Sequence, residues 1–527
     1  MLKRNGLKGS TDRLATRLFI IIIIFFVGCK NYHRNSAHPE ITDAEIRKGE
    51  VLASTYCQGC HSLPDPSLLD SKHWEQTELP YMGPRLGIFY HNLAKYPSSK
   101  YDKYLGKDFY PSKPLISPQE WQLLMDYYIA TSPDSLGGQN RQMAIREGIP
   151  QFEVMLPKLR YSDPATSLIQ IDTSKNIHSI LVGDAFRKKL YRVNPGMELE
   201  DSVAVSGPVV GLNIRTESMI ACDIGVLNPN NGKFGKGLFI STGANQKMKC
   251  DSIPLFDSLA RPVQLTEVDL NHDGLQDYLV CEFGHLTGSL SWMENMGGGK
   301  YQHHIIRPVP GAIKAWVQDY NHDGLPDLWV LFSQGDEGIF LFSNLGNGKF
   351  SERKVLGFPA IYGSSSFELD DFNHDGYPDI LYTCGDNADY SVVLKPYHGI
   401  YIFLNDGQNH FSQKYFFPIN GCFKAMARDF DGDGELDIAA ISFFADYARQ
   451  PEEGFVYLKN KGNFEFQPFT ISEGKLGRWL TMDAADLDGD GKIDIVLGNF
   501  SIAPGFIKSA TPWRQGPQFL FLKNIGK

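Results

Sequence analysis

The chain has 527 residues, 42% of them hydrophobic and 12% aromatic, which is too long for one ordinary domain and apolar enough to fill more than one core. Its formal net charge is −10 and its lysines and arginines form no stripe, so nucleic acid is excluded as a partner class.

Residues 1–28 read as an export signal. Lys3, Arg4, Lys8, Arg13 and Arg17 precede "LFIIIIIFFVG", an apolar run about half as long as a bilayer-spanning helix requires. The run ends in "FVGC", which resembles the lipobox of bacterial lipoproteins. That resemblance implies that Cys29 becomes the lipidated first residue of the mature chain, and that the protein is exported and lipid-anchored in a bacterial cell envelope, facing the periplasm or the surface. An uncleaved anchor or an ordinary secretory signal is the alternative, and each places the protein outside the cytoplasm. Residues 29–41 are polar and aperiodic and are expected to act as a tether.

A helix is expected over "TDAEIRKGEVLASTYC", with Thr42 as cap and Glu45 completing a capping box. It leads into Cys57, Cys60 and His61. C-x-x-C-H is the attachment signature of c-type haem, in which both sulfurs add to vinyl groups and the histidine ligates the iron. A thioredoxin-like pair would need a βαβ setting, and a zinc knuckle a second Cys or His pair between residues 62 and 135; neither is present. A closing helix follows in "SPQEWQLLMDYYIATS", capped by Ser117, with Pro118 in its first turn and Trp121, Leu124 and Tyr128 on one face. On these motifs residues 42–135 resemble a class I cytochrome c. The resemblance implies a small all-α domain with one covalent haem c on Cys57 and Cys60, His61 on the iron and a distal methionine. Met82, in "LPYMGPRLG", is the leading candidate; His73 would give a bis-histidine haem, and Met125, inside the closing helix, reads as core. Residues 136–150 are read as a linker.

Residues 151–527 repeat. "DLNHDGLQD", "DYNHDGLPD", "DFNHDGYPD", "DFDGDGELD" and "DLDGDGKID" start at Asp269, Asp319, Asp371, Asp429 and Asp486 and recur every 50 to 58 residues. Each is followed by an apolar run and then by a strand ending in Asn, as in "LSWMEN" and "FLFLKN", the pattern of four-stranded propeller blades. Oxygen donors at loop positions one, three, five and nine suit a hard cation. The expected calcium ligands are Asp269, Asn271, Asp273 and Asp277; Asp319, Asn321, Asp323 and Asp327; Asp371, Asn373, Asp375 and Asp379; Asp429, Asp431, Asp433 and Asp437; and Asp486, Asp488, Asp490 and Asp494. An EF-hand is excluded, because position twelve holds Val280, Val330, Tyr382, Ala440 or Leu497 instead of glutamate. Residues 262–527 resemble the FG-GAP or VCBS repeats, the family that includes integrin alpha-chain propellers. Two weaker units, over residues 167–196 and 209–242, lack the acidic loop; with the five they predict a seven-bladed all-β propeller.

The five loops supply 17 aspartates, and five Ca²⁺ would offset the net charge of −10. Cys281, Cys384 and Cys422 read as buried thiols, while Cys222 and Cys250 could pair. Three functions remain open: a haem electron-transfer protein with the propeller as docking scaffold, a propeller dehydrogenase passing substrate electrons to its own cytochrome domain, and an adhesin binding a polymer. The partners expected are a redox protein or small-molecule electron donor, a carbohydrate or protein ligand on the propeller face, and the membrane through the lipid. Long connections from strand two to strand three carry Tyr390, Lys395, Tyr397 and His398, then Phe443, Phe444, Asp446, Tyr447 and Arg449, then Trp513 and Arg514. They read either as a recognition face or as aromatics packed on neighbouring loops. The fifth repeat has no outer strand after "FLFLKN", and Gln151–Leu159 is expected to supply it by pairing with residues 519–524.

Overall fold

The computed structural model describes residues 32–89, 101–174, 178–242, 247–387, 392–503, 507 and 511–526; the export signal, Cys29 and Tyr390 lie outside them. Among the described residues no helix is long and apolar enough to cross a membrane.

The N-terminal unit is helical. Its first helix, Asp43–Tyr56, starts where Thr42 Oγ1 accepts the Glu45 N–H at 3.3 Å and the Glu45 carboxylate accepts the Thr42 N–H at 2.8 Å. Ser117 and Glu120 repeat this reciprocal cap on the closing helix, Pro118–Thr131. The two helices touch so closely at Gly49 that an added Cβ would lie 2.0 Å from the Leu123 carbonyl oxygen, a contact only glycine permits. Between them, among the described residues and after a 3₁₀ turn at Pro66–Leu68, lies a continuous helical run over residues 71–86 that passes from α (Ser71–His73) to π (Trp74–Glu78), back to α (Leu79–Met82) and into a 3₁₀ turn (Gly83–Leu86). The core gathers Ile46, Ala53, Trp74, Trp121, Leu124 and Tyr128, with Trp74 and Tyr128 ring centroids 4.5 Å apart. The segment expected as a tether is partly bound to this unit. Asn35 is buried, its N–H donates to the Ala130 carbonyl at 2.8 Å, and its amide donates to the Ser132 carbonyl at 3.0 Å.

Seven antiparallel sheets follow in ring order, their first strands starting at Thr166, Val209, Pro262, Ala312, Ser364, Cys422 and Trp479; they are blades 1 to 7 here. In six blades the second strand is buried along its whole length, because neighbouring blades cover both faces; this is why those strands read as unbroken apolar runs. The first strands surround the axis and are stitched around it by at least one side chain per step. Gln170 donates to Leu212 O, Asn213 to Leu265 O, Gln264 to Ala315 O and Trp316 to Phe367 O; Glu368 accepts from Ala427 N, Lys424 donates to Met482 O, and Asp483 accepts from Ile171 N. Each bond satisfies a backbone group on the inner edge of the next blade.

The ring closes as the sequence suggested. Phe152–Met155 pairs antiparallel with the last strand, Phe152 opposite Asn524 and Met155 opposite Phe521. A second closure was not foreseen: Arg146 and Glu147 pair in parallel with Phe469 and Thr470 on blade 6. Residues 136–150, expected as a linker, therefore lie along the propeller, where Gln139 donates to His398 O at 2.8 Å and Arg141 pairs with buried Glu453. All cysteines among the described residues are free, so the Cys222–Cys250 pairing does not form, whereas Cys222, Cys281, Cys384 and Cys422 are buried thiols.

Candidate functional site

The C-x-x-C-H motif sits where the first helix ends. The Cys57 N–H still donates to Ala53 O at 2.9 Å, and the Cys60 N–H reaches back to Cys57 O at 3.3 Å, so a tight turn brings both thiols and His61 together. Burial pushes the Cys57 thiol up to about 11, while Cys60 is exposed. The Nδ1 of His61 lies 2.8 Å from the Ser62 carbonyl oxygen. A carbonyl only accepts, so Nδ1 carries the proton and Nε2 presents its lone pair, the tautomer that a metal ligand needs. Met82 packs on the edge of the helical core. The Nδ1 of His73 lies 2.8 Å from both carboxylate oxygens of Asp70, and Met125 is core. Two buried polar atoms of this unit, Trp121 Nε1 and Ser71 Oγ, have no hydrogen-bond partner among the described residues. Two thiols and an oriented imidazole at one turn are compatible with a covalently attached haem.

The helical unit rests on the propeller face that carries the two-to-three and blade-to-blade connections. Ile361 and Val393 belong to its core, Tyr397 Oη donates to Leu68 O at 3.2 Å, and Asn231 Nδ2 donates to Asp102 Oδ2 at 3.0 Å. An open pocket of about 550 Å³ lies between Gln58–Leu63 and Asp336 of blade 4. The decorated loops are in large part occupied by the chain itself. Lys395 and His398 are buried beneath the helical unit, and the Tyr447 and Trp513 rings meet edge to face at 4.5 Å.

The acidic loops lie on the opposite face, across strands about 20 Å long. All five share one backbone. Position six is a glycine with φ between 84° and 90°, and position four, which also has positive φ, is His272, His322 or His374 in three loops and Gly432 or Gly489 in two. Side chains at positions one and five accept backbone N–H groups within the loop, as when Asp319 Oδ2 accepts the Gly324 N–H at 2.9 Å. Position nine is buried in every loop. One oxygen of each, in Asp277, Asp327, Asp379, Asp437 and Asp494, accepts the N–H of the asparagine that ends strand three. That asparagine's amide donates to the carbonyl of position eight, at 3.0 to 3.1 Å in all five. Position nine thus braces the loop against strand three, a role the ligand pattern did not reveal although the asparagine ending each strand pointed to it. Its oxygens keep second lone pairs for a cation. Burial raises Asp379, Asp437 and Asp494 to about 6, and the neighbouring loop carboxylates push the same way. Three carboxylates approach one another closely enough to share an ion in two loops, Asp429 with Asp431 and Asp433, and Asp486 with Asp488 and Asp494.

Residues 269–330, 319–382 and 429–497 match the FG-GAP-like repeat. A "T-cell immunomodulatory protein homolog" of Plasmodium falciparum (isolate 3D7) is 22% identical over 330 residues, 52% of this chain, and the match spans 44% of that protein's length. Among solved structures, BBS1N in complex with ARL6DN aligns over 73% of this chain and 98% of its own at TM-score 0.43 and 9% identity. Sqt1 of Saccharomyces cerevisiae aligns over 71% and 100% at TM-score 0.42 and 10% identity. Virginiamycin B lyase of Staphylococcus aureus aligns over 61% and 89% at TM-score 0.39 and 13% identity. With seven closed sheets and five acidic loops in phase, the chain carries FG-GAP-like repeats on a seven-bladed β-propeller.

Proposed function

We propose that this chain is an exported electron-transfer protein, lipid-anchored through Cys29, whose helical unit carries one covalent haem c and whose calcium-binding propeller is the docking scaffold. The observation that carries the reading is the pair of thiols beside an imidazole whose Nδ1 is tied to Ser62 O, leaving Nε2 free. When bound, the haem supplies one-electron exchange. Cys57 and Cys60 would bind it covalently, with His61 and Met82 as the residues that would ligate its iron, and Cys57 and Met82 both pack against the helical core that would shield it from water. Up to five Ca²⁺ are held by positions one, three, five and nine of the loops. Their role is to hold together like charges that position nine has already braced in place.

A second reading, a dehydrogenase passing substrate electrons to its own haem, is favoured by the pocket between Cys60, His61 and Asp336, whose volume of about 550 Å³ suits a small molecule. Adhesion through the propeller face leaves the C-x-x-C-H motif without a task. The test is to purify the protein with haem and calcium and to screen small molecules and redox proteins as reductants of the haem. Reduction by a protein partner supports the carrier. Catalytic reduction by a small molecule, lost on Asp336→Trp, supports the enzyme.

A further inference from the structure

The five acidic loops fall into two classes, and a residue on another strand tracks the division. Position three is Asn271, Asn321 or Asn373 in the first three loops and Asp431 or Asp488 in the last two. The residue before the asparagine that ends strand three is Glu294, Ser343 or Leu404 in blades 3 to 5 and Lys459 or Lys523 in blades 6 and 7. The structure brings these positions together. Lys523 Nζ lies 2.5 Å from Asp488 Oδ2, and Lys459 Nζ pairs with Asp431 Oδ2 and lies 3.9 Å from Asp433 Oδ2. In the first loop the same two positions meet with the opposite polarity: the Asn271 amide donates to Glu294 at 2.9 Å. Lysine thus appears where position three is acidic and is absent where it is neutral. Asp431 holds a further clue, because its other oxygen, Oδ1, is buried with no hydrogen-bond donor, which leaves a lone pair aimed at no proton.

We propose that Lys459 and Lys523 are tethered counter-cations, holding the two D-G-D-G loops in shape without metal and competing with Ca²⁺ for the position-three carboxylates. The proposal rests on the calcium reading above. Charge count alone would make the D-G-D-G loops the tighter pair, since each offers one carboxylate more than the N-H-D-G loops. A unit positive charge a few ångströms from the ion opposes it directly, and in these half-buried sites salt screens it weakly. The ammonium must therefore be displaced before the fourth carboxylate can act. Calcium binding then divides into three sites that need metal to neutralise their loops and two that keep an internal substitute.

Calcium titration by calorimetry on the whole chain, wild type against Lys459→Met/Lys523→Met, tests this. The expected result is two classes of site in the wild type, with the weaker two tightened at least tenfold in the variant and the other three unchanged. In EDTA the variant should melt at a lower temperature than the wild type, and Asp431→Asn/Asp488→Asn added to it should restore the melt. Equal affinities in both proteins overturn the proposal, as does an unchanged melt in EDTA. If calcium binds neither protein, the calcium reading itself falls, whereas binding at three sites with unaltered affinity at the other two leaves that reading intact and removes only the lysine competition.

Discussion

The helical unit and the propeller are held together in opposite ways. The propeller repeats one solution seven times, and every blade is secured by its neighbours, by the side-chain stitches around the axis and by the pairing of Phe152–Met155 with the last strand. The helical unit has two long helices joined through the continuous helical run over residues 71–86. A unit so small gathers one hydrophobic core, whereas the ring builds one between each pair of neighbouring blades. Cohesion in the propeller is therefore distributed, whereas in the helical unit it converges on the single core around the helix pair.

This difference predicts separable failures. The largest effect is expected from removing residues 151–159, which strips the closing strand together with buried Phe152 and Leu159 and exposes the edge of Phe519–Asn524. Losses on the order of 5 kcal/mol in propeller stability should follow, with the helical unit's absorption spectrum unchanged. If chains beginning at Gly148 and at Arg160 melt at one temperature, closure by this segment is wrong.

A smaller effect probes where the two regions meet. Ile361 belongs to the propeller by sequence and to the helical core by packing. Ile361→Ala should cost about 2 kcal/mol, read in the transition of the helical unit and not in that of the ring. Loss in the ring transition alone would mean that the two cores are not shared.

A further effect is a pH dependence at Glu337, within the ring itself. Burial raises Glu337 from its ordinary 4.5 to about 8, against the pull of the Ser364 hydroxyl and N–H and of Lys395. Between those values the folded chain keeps a proton that the unfolded chain has released, so this group's contribution to stability falls as pH rises through the window. Between pH 5 and pH 8 the wild type should lose about 3 kcal/mol that Glu337→Gln retains. Parallel stability–pH curves for the two proteins would contradict this.

What the sequence revealed differs between the regions for physical reasons. The capping box at Thr42, the cap at Ser117, the phase of five loops and the missing outer strand are local or periodic signals, and all are present in the structure. The placement of the helical unit on the ring depends on Asn231, Ile361, Val393 and Tyr397, which lie far from it in sequence and share no period. Residues 136–150 looked like a spacer because they are polar, yet Gln139 and Arg141 bond to propeller groups that only the folded ring assembles. At the loops the ligand spacing was legible. The bracing by position nine was not, because an aspartate that accepts backbone N–H groups and one that binds a cation are the same letter.

The most direct measurement is the covalent haem content of the whole chain produced alongside a c-type haem maturation system, by pyridine haemochrome and intact mass. The account predicts one haem per chain that survives acid-acetone extraction, none in Cys57→Ser/Cys60→Ser, and an intact propeller melt in both proteins. A wild-type chain without covalent haem, or a double variant that retains it, would contradict the assignment of Cys57, Cys60 and His61 as the haem site.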